Sequence, residues 1–278
     1  ILEDNQNPEP SSVRIRNITE QSFEVVPVEP DSRVTDASDQ NTTIQYLAIS
    51  KGEFLLPDGK AIEIGPTLPP NEITNFQAKR LAGDSWFSFN FATTFSSTPA
   101  LLSQIQTMNN EPTHTVGSAS QPWMTTAVRN VTTNGGDIAL DRAETNTGTL
   151  SVAEEIAFLA TESGIIGDFK DVSGTNISSE AQVTPDSIAG TRSCYNYNFL
   201  QSYPSPPLVI GSQMTWDGGD GGWLRRCSTT NSSVSLKIEE DWASDTDNAH
   251  TTERAGFLAF SEPFYADLSL VANYQLEG

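Results

Sequence analysis

Apolar side chains recur at every second position in several stretches of this chain. Phe87, Phe89 and Phe91 alternate with Ser88 and Asn90; Val234, Leu236 and Ile238 alternate with Ser235 and Lys237; Phe23 and Val25 flank Glu24. A period of two sends successive side chains to opposite faces of an extended backbone, so these runs predict strands with one core face and one wet face. Turn formers separate them: Thr133-Asn-Gly-Gly136, Pro57-Asp-Gly59 and Asp217-Gly-Gly-Asp-Gly-Gly222. No stretch carries a stripe of period 3.6. Short antiparallel strands with turns every 8 to 12 residues, roughly, predict an all-β fold of tandem antiparallel β-sandwich domains.

The pattern also repeats at long range. Phe87-Ser-Phe-Asn-Phe-Ala-Thr-Thr-Phe95, followed by Pro99, returns 108 residues later as Tyr195-Asn-Tyr-Asn-Phe-Leu-Gln-Ser-Tyr203, followed by Pro207. A second block occurs three times, as Arg16-Asn-Ile-Thr19, Arg129-Asn-Val-Thr132 and, more weakly, Arg226-Cys-Ser-Thr229. A third follows each: Ile44-Gln-Tyr-Leu-Ala48, Ile156-Ala-Phe-Leu-Ala160 and Ala255-Gly-Phe-Leu-Ala259. A period of about 100 residues describes whole domains, whereas about 20 to 50 would describe a solenoid. The expected organisation is beads on a string: a partial sandwich at 1–52, linker or hairpin at 53–81, a sandwich at 82–163, linker or hairpin at 164–189, a sandwich at 190–263 and a C-terminal strand at 264–278. The first unit lacks its opening strands, because too few residues precede Val13 to hold them.

Lys and Arg number 15 against 36 Asp and Glu, a net charge of −21. That sign repels nucleic acid and anionic membranes and favours solubility in salty or cation-rich surroundings, so neither nucleic-acid binding nor membrane insertion is expected. No run approaches the roughly 18 apolar residues of a membrane helix, and Ile1-Leu-Glu-Asp lacks the regions of a signal peptide, as in a mature or trimmed product. Cys194 and Cys227 fall in the aromatic and Arg-x-x-Thr blocks of one repeat, which suits a disulfide between neighbouring strands and an extracellular or cell-surface location; two buried thiols are the alternative.

The order aromatic-x-aromatic-Asn-Phe, Pro-Pro-Leu-Val-Ile, Arg-x-x-Thr, alternating strand and His-Thr-Thr-Glu-Arg-Ala-Gly-Phe-Leu-Ala-Phe resembles the H-type lectin domain, a six-stranded antiparallel sandwich. More closely it resembles the tandem lectin-like repeats of large secreted bacterial surface proteins. The resemblance covers residues 82–162 and 190–262, with 13–52 as a half unit. It implies sugar binding by aromatic and polar side chains near one end of the sandwich, since aromatic faces stack on sugar C–H groups while carboxylates, Arg or His bond paired hydroxyls. The third repeat offers Trp216, Asp217, Arg226, Trp242 and His250 for that role; a purely structural role for these tryptophans competes with it. Ser151 and Asp39 stand at the position of His250 in the other repeats, Glu154 and Thr42 at that of Glu253, and an ion pair of Glu253 with Arg226, or Glu154 with Arg129, is the expected use of the glutamates. Asp217 and Asp220 offer oxygen ligands in a Gly-rich loop, so calcium is possible, although no EF-hand pattern is present and no other cofactor is implied. No Gly-x-Ser-x-Gly, His-Glu-x-x-His or Cys-His arrangement suggests an enzyme.

An incomplete sandwich leaves backbone and apolar surface uncovered. The tail positions Leu268, Leu270, Ala272, Tyr274 and Leu276 read as a strand that completes the first unit, in the same chain or in the next subunit, where donation head to tail would build a homopolymer. A fragment of a longer tandem array is the third possibility. The expected function is a non-catalytic structural or adhesive surface protein, with a carbohydrate-binding lectin module as the alternative.

Overall fold

The computed structural model describes residues 1–4, 10–29, 43–56, 59–65, 86–111, 123–142, 150, 152–190, 193–219, 221–240 and 249–266. Every regular element among them is a strand, and every ladder between strands is antiparallel. The first unit holds Leu2–Glu3 (β1), Ser12–Arg16 (β2), Glu24–Val28 (β3) and Ile44–Gln45 (β4). The second holds Gly52–Leu55 (β5), Ala61–Ile64 (β6), Phe87–Asn90 (β7), Ala100–Ile105 (β8), Met124–Arg129 (β9), Gly135–Arg142 (β10) and Ile156–Thr161 (β11). The third holds Gly164–Lys170 (β12), Asn176–Val183 (β13), Ile188–Gly190 (β14), Tyr195–Asn198 (β15), Leu208–Gln213 (β16), Gly222–Thr229 (β17), Ser233–Glu240 (β18), His250–Glu253 (β19) and Ala255–Phe260 (β20).

The second and third units are sandwiches of the same plan. A three-stranded sheet, β7-β10-β9 or β15-β18-β17, faces a four-stranded one, β5-β6-β11-β8 or β12-β13-β20-β16. The hairpins β5–β6 and β12–β13 are therefore not spacers between six-stranded sandwiches; each extends the sheet of the unit that follows it. In each sandwich the inward residues of the alternating strands meet: Phe89, Ile138, Leu101 and Phe158 in the second, Leu236, Val209 and Phe257 in the third.

The two sandwiches do not hang as separate beads. Along β8, Leu101 and Ile105 enter the core of the second unit, while Ala100 and Leu102 face outward into a further apolar layer. Along β20, Ala255, Phe257 and Ala259 face the third unit's core, while Leu258 and Phe260 join that same layer, together with Ile62, Ile210 and Ile177. β8 and β20 are thus buried on both faces, which is why Ala255-Gly-Phe-Leu-Ala-Phe260 reads as a continuous apolar run rather than an alternation. Gly256 permits the approach: a Cβ there would lie 2.9 Å from the backbone N and O of Leu101 and 2.7 Å from the Met214 sulfur. Polar bonds cross the same seam, from Ser103 N to Ser212 Oγ at 3.0 Å and from Lys60 Nζ to the carbonyl of Ile165 at 2.7 Å.

The first unit is more complete than the residue count suggested. Leu2 and Glu3 pair with Gln45 and Ile44 as Gln104 and Ile105 pair with Ala157 and Ile156. The next amide bonds alike in all three units: Asp4 N to Thr43 O, Gln106 N to Glu155 O and Met214 N to Arg254 O, at 3.1, 2.8 and 2.8 Å. Residues 1–4 therefore supply the end of the strand that was expected to be missing altogether. Cover for this unit comes from the other two. Val26 and Val28 pack under Met108, Trp123 and Trp223, whose indoles lie 4.5 Å apart, and Leu2 enters the third unit's core.

Contacts between units run in a ring. The third touches the second through Trp216 and Trp86, the second touches the first through Thr107 and Arg14, and the first touches the third where Arg225 Nη2 donates to the Asp4 carbonyl at 2.8 Å. The tail positions Leu268, Leu270, Ala272, Tyr274 and Leu276 lie outside the described residues. Just before them, Phe264 stacks on Phe169 and Phe260, and the Tyr265 carbonyl accepts from Val172 N at 2.9 Å.

Candidate functional site

The site assembled from the third repeat's candidates lies where the loop after β16 passes over β19. Glu253, fully buried, accepts the amides of Asp217 and Gly218 at 2.8 and 3.1 Å and the hydroxyl of Thr215. His250 stands beside it, 6% exposed, with Nε2 3.0 Å from Glu253 Oε1 and Nδ1 2.5 Å from Glu240 Oε1. Both ring nitrogens face carboxylate oxygens, so each carries hydrogen and the ring is an imidazolium. Burial by itself lowers the pKa of His250, but hydrogen bonds and charge from Glu240 and Glu253 outweigh it and raise the value to about 9.

The glycines of the acidic loop serve this imidazolium. A Cβ on Gly218 would sit 2.5 Å from His250 Cε1, one on Gly222 3.1 Å from it, and one on Gly190 2.2 Å from His250 Cβ. The Gly-rich character that suggested calcium thus accounts for close packing around the ring. Asp217 is an exposed residue, with a pKa raised by desolvation and by Glu253, and Asp220 is outside the described residues. Among the described residues, no three His, Cys, Asp or Glu side chains converge as metal ligands.

The second repeat builds the same clamp. Glu154, fully buried, accepts the amides of Asn109 and Asn110 at 3.1 and 3.0 Å and the Thr107 hydroxyl. Thr107 and Thr215 also receive the amides of Glu155 and Arg254 at 3.0 and 2.8 Å. The cation differs. Where the third repeat uses its own His250, the second borrows Arg14 from the first unit, 99% buried, which reaches Glu111 at 2.8 Å, the Thr107 carbonyl at 2.8 Å and Glu154 at 3.6 Å. Burial, partly offset by Arg14, pushes the Glu111 carboxyl up to about 7.

These partners correct the expected ion pairs. Glu253 holds His250 and its loop, and Arg226 instead lies 4.0 Å from Asp4 and donates to Thr229 at 3.3 Å. Desolvation lowers the pKa of Arg226. Arg129 pairs with Asp137 at 3.2 Å, as Arg16 pairs with Glu24 at 2.8 Å. Trp216 is half-buried, stacked edge-on against Trp86 at 5.3 Å, and its Nε1 donates to Asp141 at 3.0 Å. Trp216, Asp217 and His250 therefore share one neighbourhood, Arg226 belongs to another, and Trp242 lies outside the described residues.

Cys194 and Cys227 are joined by a disulfide. Its counterpart in the second repeat is a different interaction at the same two places: Trp86, 108 residues before Cys194, stacks on the guanidinium of Arg129, whose Cζ is 4.1 Å from the ring centre. This fixes the third copy of the Arg block. Thr230, like Thr19 and Thr132, closes the turn, its amide bonding Ser233 O as theirs bond Ser22 O and Gly135 O. Cys227, not Arg226, is therefore the counterpart of Arg16 and Arg129.

Fold and site together describe tandem sandwiches stapled by a disulfide and by buried ionic clamps. No family model and no solved structure matches the chain. It is 26% identical over 252 residues to Halomucin of Haloquadratum walsbyi, a match covering 89% of this chain and 2% of that protein. The likeness and the disulfide are both compatible with an extracellular surface protein.

Proposed function

We propose that this chain is a non-catalytic, structural module of an extracellular surface protein, a rigid three-unit block within a longer architecture. The observation that carries the reading is where its polar chemistry sits. His250, Glu240, Glu253, Glu154 and Arg14 are buried and hold loops or neighbouring units in place. A net charge of −21 suits a surface block in a salt-rich medium, where counterions screen self-repulsion. The likeness to Halomucin, of which the chain spans a small part, adds support for a surface location. Partners are then further repeats or copies of this chain.

Strand donation by the tail is not needed to cover Val26 and Val28, so fibre assembly is a weaker part of the expectation than a self-contained block. Labelling intact producing cells with a membrane-impermeant amine reagent tests location: the chain labels if the reading is right and stays unlabelled if it is not. Carbohydrate binding is the second reading, favoured by exposed Asp217 beside half-buried Trp216. A glycan array supports it only if binding is lost on Asp217→Ala while the fold is retained.

A further inference from the structure

Each of the three units carries an Asn-x-Ser/Thr triplet in the same hairpin turn. The turns join β2 to β3, β9 to β10 and β17 to β18, and their triplets are Asn17-Ile-Thr19, Asn130-Val-Thr132 and Asn231-Ser-Ser233. The same backbone bond closes all three, Thr19 N to Ser22 O, Thr132 N to Gly135 O and Thr230 N to Ser233 O at 2.7, 2.8 and 2.8 Å; Thr19 and Thr132 belong to their triplets, and Thr230 precedes Asn231. All three asparagines are exposed. Asn17 and Asn130 both adopt the left-handed region, at φ 54° and 53°. A chain rich in Ser and Thr acquires such triplets by chance, but Asn17 and Asn130 stand at equivalent positions of the repeat, and Asn231 falls three positions later on the exposed turn of the third unit.

We propose that Asn17, Asn130 and Asn231 are acceptors for N-linked oligosaccharide, so that the block displays one glycan from the same turn of each unit. This inference rests on the extracellular reading above. The donor would be an oligosaccharide linked to a lipid phosphate or diphosphate. The asparagine Nδ2 forms a bond to the sugar C1, the bond from C1 to the phosphate oxygen breaks, the lipid phosphate leaves with the electron pair, and the amide gives one proton to the transferase's base. The modified amide keeps one N–H, so the bond that Asn130 Nδ2 makes to Asp137 at 2.8 Å has a donor left. Asn176 is also exposed but opens a strand, and Asn41 lies outside the described residues.

The test is peptide mapping by mass spectrometry on the full chain from its own producing cells, with surface labelling and thiol titration on the same sample. The proposal expects sugar-sized mass additions on the peptides of Asn17, Asn130 and Asn231. Thr19→Ala should remove the addition from Asn17 with that asparagine untouched, and Asn130→Gln should remove the second. Unmodified peptides from surface-labelled, disulfide-bonded protein would overturn this proposal and leave the extracellular reading standing. Unlabelled protein with free thiols would overturn both.

Discussion

Replacing Glu253 by glutamine tests the buried clamp with almost no change of shape. The carboxylate accepts two backbone amides, a hydroxyl and the His250 N–H while fully shielded from water. An amide keeps one acceptor oxygen, turns an NH2 donor toward groups that also donate, and leaves the imidazolium with Glu240 alone. Breaking a buried charged pair from one side costs about 3–5 kcal/mol, and Glu253→Gln should fall in that range. The pH dependence gives an independent reading. His250 binds its proton more tightly in the folded chain, at about 9 against the ordinary 6.5, so its stabilisation is complete below pH 6.5 and drains away as pH rises through 9. The shift corresponds to about 3 kcal/mol. Denaturant unfolding followed by tryptophan fluorescence, at pH 7 and pH 9.5 with the disulfide intact, measures both. Parent protein should lose stability between the two, and Glu253→Gln should begin lower and lose less. A variant within 1 kcal/mol or so of the parent, with a parent profile flat over that pH interval, would refute the clamp.

Three further outcomes follow from the packing. The double substitution Trp86→Cys with Arg129→Cys should form a second disulfide, because these positions match Cys194 and Cys227; thiol titration under denaturing, non-reducing conditions should then find no free sulfhydryl. Arg14→Met should destabilise by about 3 kcal/mol by removing the buried cation that faces the Glu111 and Glu154 carboxylates, and adding Glu111→Gln should recover part of the loss, read by the same denaturation assay. Gly256→Val should cost about 1–3 kcal/mol by forcing atoms into Leu101 and Met214 across the seam, and scanning calorimetry should show the thermal transition moved down.

Much of the fold is legible in the chain because β-strands write their burial into a two-residue period. Phe87 to Asn90 and Val234 to Ile238 fall on strands with the expected inward faces, although Ser235 and Lys237, expected to be wet, are buried, and the long-range repeat marks true structural counterparts. The docking of the units is legible only in retrospect. The unbroken apolar run from Ala255 to Phe260 belongs to a strand with two buried faces, yet a single short run of this kind also fits other elements. Hairpins or linkers were expected where β5–β6 and β12–β13 lie, but their membership in the four-stranded sheets escaped because their sequences differ while their pairing to β11 and β20 does not. At the site, His250 and Asp217 stand out as chemistry-bearing residues, but periodicity does not report which carboxylate a histidine faces. The shared spacing of Thr107 with Asn109 and of Thr215 with Asp217 is the signal that could have revealed both clamps. Arg14 carries no such signal, because its partners lie in another unit.

Three units close on a common core instead of trailing as beads, and small-angle X-ray scattering of the purified chain measures the difference. A compact chain of this length has a radius of gyration of about 19 Å and a single-peaked distance distribution, and that is the expected result. A radius above roughly 25 Å with separated peaks, as independent beads would give, would show that the units do not share a core.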